Sequence, residues 1–187
     1  MSQKNDEYCY FADEEKDPDR AAFWWTMAAE QGDAEAMFKL GVYFFSKVED
    51  RLTISANRKA NQHKADLIGD QYMAEYWCTK AAKLGHLRAQ FILGAYYHVS
   101  EHGPKDSVKA VYWYNKAANQ GDEDAQFLLG NCYYEGVGVQ KDPDKAAYWW
   151  SLSAAQGHDE AAIKCENVSN SFLIYHSMND QHGTLRV

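Results

Sequence analysis

The sequence lacks the segments that would place the protein in a membrane or direct it out of the cell. No stretch of its 187 residues approaches the roughly 18 consecutive apolar residues of a membrane-spanning helix. The amino-terminal sequence MSQKNDEYCYFADEEK has neither the apolar core nor the cleavage site of a secretory signal. These absences predict a cytoplasmic protein with no membrane partner.

Cysteine and positive charge are also scarce. The cysteines form no Cys-x-x-Cys pair and no two lie at metal-ligand spacing, so we expect reduced, mostly buried thiols and neither a metal nor a cofactor. The 19 basic residues are outnumbered by 27 acidic ones, and the net charge of -8 at pH 7 argues against nucleic acid and favours a basic protein partner. The four cysteines are Cys9, Cys78, Cys132 and Cys165.

What the sequence does contain is a fourfold internal repeat, marked by a tryptophan eight residues before a glycine. The marker glycines are separated by 53, 36 and 36 residues, and an alanine follows each of them four residues later. Segments 17–36 and 142–161 are identical at 12 of 20 positions, so they are copies of one structural unit. The marker pairs are Trp24 and Gly32, Trp77 and Gly85, Trp113 and Gly121, and Trp149 and Gly157.

Each copy predicts a pair of antiparallel helices. In the third copy, Ala110, Trp113 and Ala117 fall at helical spacing, Gly121 follows as a left-handed helix end, and a second apolar helical pattern begins at Ala125. Glycine in a Leu-Gly pair on the second helix removes bulk where helices approach closely. An aspartate precedes the first helix of each copy and is predicted to be its N-cap. These aspartates are Asp17, Asp70, Asp106 and Asp142.

The repeats define the predicted boundaries along the chain. We expect units near 17–69, 70–105, 106–141 and 142–168 within a single repeat domain, 1–178. Residues 1–16 are predicted to be an amino-terminal cap helix, 169–178 a carboxyl-terminal cap, and 179–187 a mobile tail. The first unit carries a basic insertion, 46–69, which is either a pair of lengthened helices, a solvated loop or a projection that contacts a partner.

The pattern AxxWxxxAAxxGxxxAxxxLGxxYxxGxGVxxD resembles the Sel-one-like repeat, a relative of the tetratricopeptide repeat, over about Asp17 to Glu166. The third copy alone has every element of the pattern, and the second has HVSEHGPKD where the glycine loop belongs. The resemblance implies an all-α fold, a right-handed solenoid of about four antiparallel helix pairs with terminal capping helices. It also implies a role in holding other proteins. A cysteine-rich branch of the family is linked to β-lactam binding, but this chain lacks the paired cysteines.

Aromatic residues on the first helix of each copy are the predicted partner contacts. Three consecutive positions there read Phe-Trp-Trp, Tyr-Trp-Cys, Tyr-Trp-Tyr and Tyr-Trp-Trp, and three consecutive residues span about 200° of a helix. The middle tryptophan shares a face with alanines and is assigned to packing. The flanking residues are expected either to contact a partner or to pack between repeats, with Glu75 in an acidic rim that steers a basic partner. The flanking contacts are Trp25, Tyr114, Trp150, Tyr112 and Tyr148.

One short motif suggests chemistry. His98, Glu101 and His102 spell the inverted zinc-protease signature, which needs both histidines on one helical face. Its register places it in the loop between repeats, with Gly103-Pro104 directly after it, so we interpret it as a polar turn. The remaining histidines are expected to be surface turn residues: His63, His86, His158, His176 and His182.

The sequence therefore predicts a non-enzymatic, monomeric binding module for one protein. A dedicated inhibitor, such as an immunity protein that neutralises a toxin, and an adaptor fit the same residues. The alternative is a hydrolase built on the same repeats, either zinc-dependent through the His98 motif or directed at β-lactams.

Overall fold

The structure is a computed structural model that describes residues 2–55, 60–99 and 105–167. These ranges contain helices and turns and no strand, which confirms the all-α prediction. The helices are α1 (Ser2–Glu14), α2 (Pro18–Glu30), α3 (Ala34–Ser55), α4 (Ala60–Lys83), α5 (Leu87–Val99), α6 (Ser107–Asn119), α7 (Glu123–Glu135) and α8 (Pro143–Ala155). Residues 159–167 are also helical.

The chain divides into two compact units, Met1–Lys105 and Asp106–Val187. In the first unit α1 packs on α2, α2 on α3, α3 on α4 and α4 on α5; in the second, α6 packs on α7 and α7 on α8. Helices that contact their neighbours in chain order are typical of a repeat array. The amino-terminal helix α1 lies where the cap helix was predicted, whereas 169–178 and 179–187 lie outside the described residues.

Three of the four predicted aspartate caps are present. The carboxylates of Asp17, Asp106 and Asp142 accept hydrogen bonds from the first-turn N–H groups of α2, α6 and α8, at 2.9, 3.0 and 3.0 Å. The prediction is wrong for Asp70. Helix α4 begins ten residues earlier, at Ala60, so Asp70 lies within the helix, where its Oδ2 is 2.5 Å from Nε of Arg51.

The insertion lengthens two helices, so that alternative is correct for its described part. Helices α3 and α4 have 22 and 24 residues, whereas the other six have 13 each. The two long helices pack on each other, and Arg51 donates a hydrogen bond to Asp66 at 2.9 Å. Residues 56–59 between them lie outside the described residues.

The tight turn between the two helices of a copy depends on the marker glycine. Gly121 has a φ of 95°, the left-handed conformation predicted for it, and its N–H donates to the Ala118 carbonyl at 3.0 Å. The three other marker glycines have φ values of 92° to 105°. The helix end thus satisfies its last carbonyls without distorting a side-chain-bearing residue.

Glycine also sets the distance between successive repeats. A Cβ added at Gly130 on α7 would lie 2.5 Å from the Trp150 ring on α8, and one at Gly41 on α3 would lie 2.2 Å from the Cys78 sulfur on α4. The predicted close approach is therefore present at both junctions. All four cysteines are free thiols, as predicted; two are buried and two are partly buried.

The expectation that His86 and His158 are surface turn residues is wrong. Their side chains are only 14% and 17% exposed, because each ring stacks on a phenylalanine, Phe38 or Phe127, at 4.5 and 4.4 Å. Each Nδ1 accepts a hydrogen bond from a helix N–H three residues on. Histidine here takes the N-cap position that aspartate occupies in the other two copies, at Asp33 and Asp122.

Candidate functional site

The aromatic triplets divide into three layers of exposure. The first residue of each triplet is exposed, and we call these four residues the first-position aromatics. They are Phe23, Tyr76, Tyr112 and Tyr148, exposed by 59%, 37%, 54% and 57%. Two of them, Tyr112 and Tyr148, were predicted partner contacts, and they remain available to a partner.

Each first-position aromatic stands edge-on against the tryptophan that follows it. The ring centroids are 5.3, 5.0, 4.9 and 5.2 Å apart in chain order, with interplanar angles of 74°, 77°, 77° and 71°. These tryptophans are the middle residues assigned to packing, and Trp77 and Trp113 are buried while Trp24 and Trp149 are partly buried. A buried or partly buried tryptophan ring therefore orients the exposed ring, which reduces the entropy lost when a partner binds.

The third residue of the triplet is the most deeply buried in three copies. Tyr114 and Trp150 are 1% and 0% exposed, so packing, the alternative left open by the sequence, accounts for both side chains. Desolvation of the Tyr114 phenol raises its pKa well above the usual range. Trp150 packs against Tyr134 at 5.3 Å and donates through Nε1 to Asn131 at 3.2 Å. Neither residue can reach a partner without rearrangement of the repeat.

Trp25 differs from the other third-position residues because it is only partly buried. It lines a cleft of about 320 Å³ between α2 and α3, together with Pro18, Phe38 and Val42. Its Nε1 is buried and has no hydrogen-bond partner within the described part of the chain. Of the three third-position residues predicted to contact a partner, Trp25 alone has exposed surface.

Glu75 is held by its own helix pair. Its carboxylate accepts a short hydrogen bond from the hydroxyl of Tyr97 on α5, and its charge contributes to raising the pKa of Tyr96, after desolvation. The exposed acids Glu123 and Asp124 start α7, where negative charge favours the helix amino terminus, and Asp124 lies 3.6 Å from His158. A role for Glu75 in an acidic rim stays a prediction.

A groove in the first unit was not found from the sequence. It has a volume of about 640 Å³ and lies where α4 meets the end of α2 and the start of α3. Tyr72, 66% exposed, stacks on Tyr76 at 6.3 Å, and Lys80 lies 4.7 and 5.3 Å from the rings of Tyr76 and Trp77. The spacing of four residues between Tyr72, Tyr76 and Lys80 was the available signal. The lining is completed by Ala29, Glu30, Gly32, Met37 and Met73.

The histidine motif lies at the end of α5. His98 is in the last turn of this helix, while Glu101 and His102 lie outside the described residues. Among residues 2–55, 60–99 and 105–167, no group of three or more His, Cys, Asp or Glu side chains is placed to hold a metal ion. In the same ranges, no helix combines the length and the apolar character that crossing a membrane requires.

Serially packed helix pairs with a repeated tryptophan, turn glycine and interhelical glycine define a helical repeat protein related to the tetratricopeptide class. The Sel1 repeat model matches residues 8–33, 34–47, 63–86, 87–122 and 123–158. The chain belongs to the Sel1 repeat family, as the resemblance implied.

Solved structures with the same fold include two larger proteins. A Sel1 repeat protein from Oxalobacter formigenes is 27% identical, with a TM-score of 0.67 over 88% of this chain and 44% of that one. A protective antigen present in uropathogenic Escherichia coli strains is 26% identical, with a TM-score of 0.54 over 90% of this chain and 40% of that one. The chain thus spans less than half the length of either protein.

An immunity protein from Pseudomonas aeruginosa is more distant, at 23% identity and a TM-score of 0.37 over 87% of this chain and 69% of that one. Similarity at this level bears on neither function nor partner. No functionally curated protein matches the sequence.

Proposed function

We propose that the protein is a non-enzymatic binding module that holds another protein through its first-position aromatics. One observation carries the proposal: in all four copies the exposed ring is paired edge-on with the tryptophan of the same helix. Exposed tyrosine anchors on a rigid scaffold are the residues that dominate binding energy in protein interfaces. The Sel1 repeat fold supports this function, since the family consists largely of protein-interaction modules.

Tyrosine suits this role better than the deeper residues do. A tyrosine ring offers a large contact area with only two side-chain torsions to fix, and its hydroxyl can bond to a partner at the edge of the contact. Lys116 lies 5.8 Å from the Tyr112 ring, as Lys80 lies 4.7 Å from Tyr76, so two of the anchors carry an adjacent cation. The exposure of the four rings supports a role in contact with a partner.

The proposal is tested by comparing what the protein and its variants retain from a lysate of the native cell after a salt wash. Two double variants remove the anchors of one unit each: Phe23→Ala with Tyr76→Ala, and Tyr112→Ala with Tyr148→Ala. Tyr10→Ala is the matched control, since Tyr10 on α1 is 63% exposed and lies outside the triplets.

We expect a retained protein that at least one double variant loses and the Tyr10 variant keeps. With that protein purified, each lost anchor should weaken binding by about 2 kcal/mol, or roughly 30-fold. Equal retention by all variants would contradict the proposal.

Within this function, we propose either a dedicated inhibitor, such as an immunity protein, or an adaptor. Both roles use the same anchors, and the retained protein distinguishes them. An inhibitor should abolish the activity of one toxin or enzyme at equimolar concentration, whereas an adaptor should bring two proteins into one complex.

A further inference from the structure

The turn between the two helices of the second copy has the opposite charge character to the same turn in the other copies. Aligned on the marker glycine, the helix residue two places before it is Lys83, where the other copies have Glu30, Asn119 and Ala155. The next residue is Leu84, where the others all have glutamine. Three places after the glycine comes Arg88, where the others have Glu35, Asp124 and Glu160. We call Lys80, Lys83, Leu84 and Arg88 the basic turn.

Helix stability accounts for two cations of the basic turn but not for Arg88. Lys80 and Lys83 in the last turn of α4 complement the helix dipole, but Arg88 lies in the first turn of α5, where a positive charge is unfavourable by about 0.3–1 kcal/mol. The corresponding acids Glu35 and Asp124 start their helices with the favourable sign. Arg88 therefore destabilises α5 through its interaction with the helix dipole.

The basic turn is also uncompensated and partly apolar. None of Lys80, Lys83 and Arg88 forms an ion pair with a carboxylate of the described residues, whereas four other basic side chains of the same unit do: Arg20, Lys39, Lys47 and Arg51. Leu84 is 59% exposed at a position where glutamine is otherwise used. Three cations with no carboxylate partner among the described residues, around an exposed leucine, are the feature of a surface that receives an anionic, partly apolar ligand.

The groove beside the basic turn shows where the apolar part of that ligand fits. Lys80 belongs to both features, since its Nζ lies over the rings of Tyr76 and Trp77 that line the groove. The remaining lining includes Met37 and Met73, whose flexible side chains adapt to an inserted apolar group. Glu30 lies on the opposite wall, at the end of α2, so an acidic group is favoured only on the α4 side.

We infer that the first unit binds an acidic segment of a partner protein, with an apolar side chain in the groove at Tyr72 and Tyr76 and carboxylates on the basic turn. The inference rests on the proposed function, since Tyr76 is one of its anchors. A protein segment fits better than a nucleic acid because the groove takes an apolar side chain beside the cations. The basic partner expected from net charge stays a prediction, and the acidic segment is proposed for this surface alone.

The test measures binding of labelled ten-residue peptides to the full chain by fluorescence anisotropy. The probe alternates Phe or Leu with pairs of Glu; one control peptide has Lys for every Glu, and a second has Ala for every Phe and Leu. A ten-nucleotide oligothymidylate represents the competing nucleic acid. The protein variant Lys83→Asn, Leu84→Gln, Arg88→Asp converts the basic turn to the sequence of the third copy, so the repeat itself tolerates these residues.

We expect the acidic apolar peptide to bind at least about tenfold more tightly than either control peptide or the oligonucleotide, and more weakly as salt rises. The triple variant should lose about tenfold in affinity while its melting temperature is unchanged or higher. Arg88→Asp alone gives a second measurement should the triple variant fold poorly. Lys16→Glu is the control for Arg88→Asp, because each replaces one cation with one anion. Lys16 is an exposed lysine outside the basic turn, so this variant should have little effect on peptide binding.

Equal binding of the Glu and Lys peptides, tighter binding of the oligonucleotide, or no effect of the basic-turn variants would overturn the inference. These results are separable from failure of the proposed function. A native partner that depends on the anchors but not on the basic turn supports the proposed function alone. Binding of the acidic peptide without any anchor-dependent native partner supports the acidic-segment site alone.

Discussion

The first and last copies of the repeat share most of their residues and differ in how they use them. Segments 17–36 and 142–161 are identical at 12 of 20 positions, including both adjacent tryptophans. Trp150 is completely buried, with its Nε1 bonded to Asn131, whereas Trp25 is partly exposed and its Nε1 has no described partner. Closely similar local sequence therefore leaves the burial of a large side chain undetermined.

The helix that precedes each copy accounts for the difference. On helix α7, Gly130 has no side chain and so lets the Trp150 ring pack closely, and Asn131 accepts the hydrogen bond from Trp150 Nε1. Aligned on Cys9 and Cys132, helix α1 has Glu7 and Tyr8 at these positions.

The aromatics of α1 instead pack on the neighbouring tryptophan, with Tyr8 and Phe11 lying 6.0 and 5.4 Å from Trp24. A lysine differs in the same way: Lys164 lies 5.5 Å from the Trp150 ring, while the aligned Lys39 pairs with Asp13. The second tryptophan of the first copy is left partly uncovered.

Truncating the two tryptophans gives the largest effect and tests the comparison directly. Trp150→Ala should destabilise the protein by about 3–5 kcal/mol, because it empties a fully packed site. Trp25→Ala should cost less than half as much, since part of its ring already faces solvent. Urea unfolding followed by circular dichroism measures both, and equal losses would remove the distinction between the copies.

Adding a side chain at Gly130, where the Trp150 ring packs on α7, should have the next largest effect on stability. Gly130→Ala places a Cβ 2.5 Å from the ring, and the repacking should cost about 1–3 kcal/mol. Gly69→Ala is the control, because Gly69 lies within α4 with open space around it, and it should stabilise the helix by up to about 1 kcal/mol. Urea unfolding measures both variants. A Gly130→Ala variant as stable as the original protein would show that the contact between Gly130 and Trp150 has room for a methyl group.

The second copy extends the comparison, because its third-position residue is Cys78, seated on Gly41. Burial raises the pKa of this thiol from 9.0 to about 12, so the unfolded chain releases the proton first. Stability from Cys78 is present below pH 9 and is lost as pH rises toward 12, by about 1.4 kcal/mol per pH unit at most. Urea midpoints measured from pH 8 to 11 should fall, and Cys78→Ala should reduce the slope; an unchanged slope would contradict the assignment.

Removing the acceptor of Trp150 should have the smallest effect. Asn131→Ala leaves Nε1 of Trp150 buried without a hydrogen bond, which is the situation of Nε1 of Trp25 in the described residues. The variant should lose about 1 kcal/mol of stability. Asn131→Gln, which keeps a carboxamide, is the comparison variant. The melting temperature should fall less for glutamine than for alanine, and a loss as large as that of Trp150→Ala would indicate that Asn131 has a wider packing role.

Much of the helix pair could be predicted from short-range pattern. Backbone conformation and capping depend on residues a few positions apart, so spacing within the repeat predicts them. It predicted the left-handed Gly121, the N-cap at Asp106 and the close packing at Gly130. The N-cap predicted at Asp70 is absent because α4 begins at Ala60, in the insertion, and continues through Asp70. An aspartate caps a helix only where the residues before it are not helical.

The candidate site was predictable only in part. The triplet pattern showed that three aromatics cannot share one face. It assigned the middle tryptophan to packing and left Tyr114 and Trp150 open between partner contact and packing between repeats. The structure buries the third position most deeply in three of the four copies, and in the last copy the preceding helix α7 covers Trp150. Tyr112 and Tyr148 were named among the contacts and are exposed. The groove at Tyr72 combines residues from three helices, and the four-residue spacing of Tyr72, Tyr76 and Lys80 on α4 signals only one of its walls.

The sequence by itself determined the repeating unit: where each helix pair turns, which glycines allow close approach, and which positions carry aromatic rings. The tertiary structure decided which of those rings a partner can reach. Burial of Trp150 and exposure of part of Trp25 depend on a neighbouring helix more than ten residues away in the chain. Periodicity within one helix carries no information about what an adjoining helix brings to its surface.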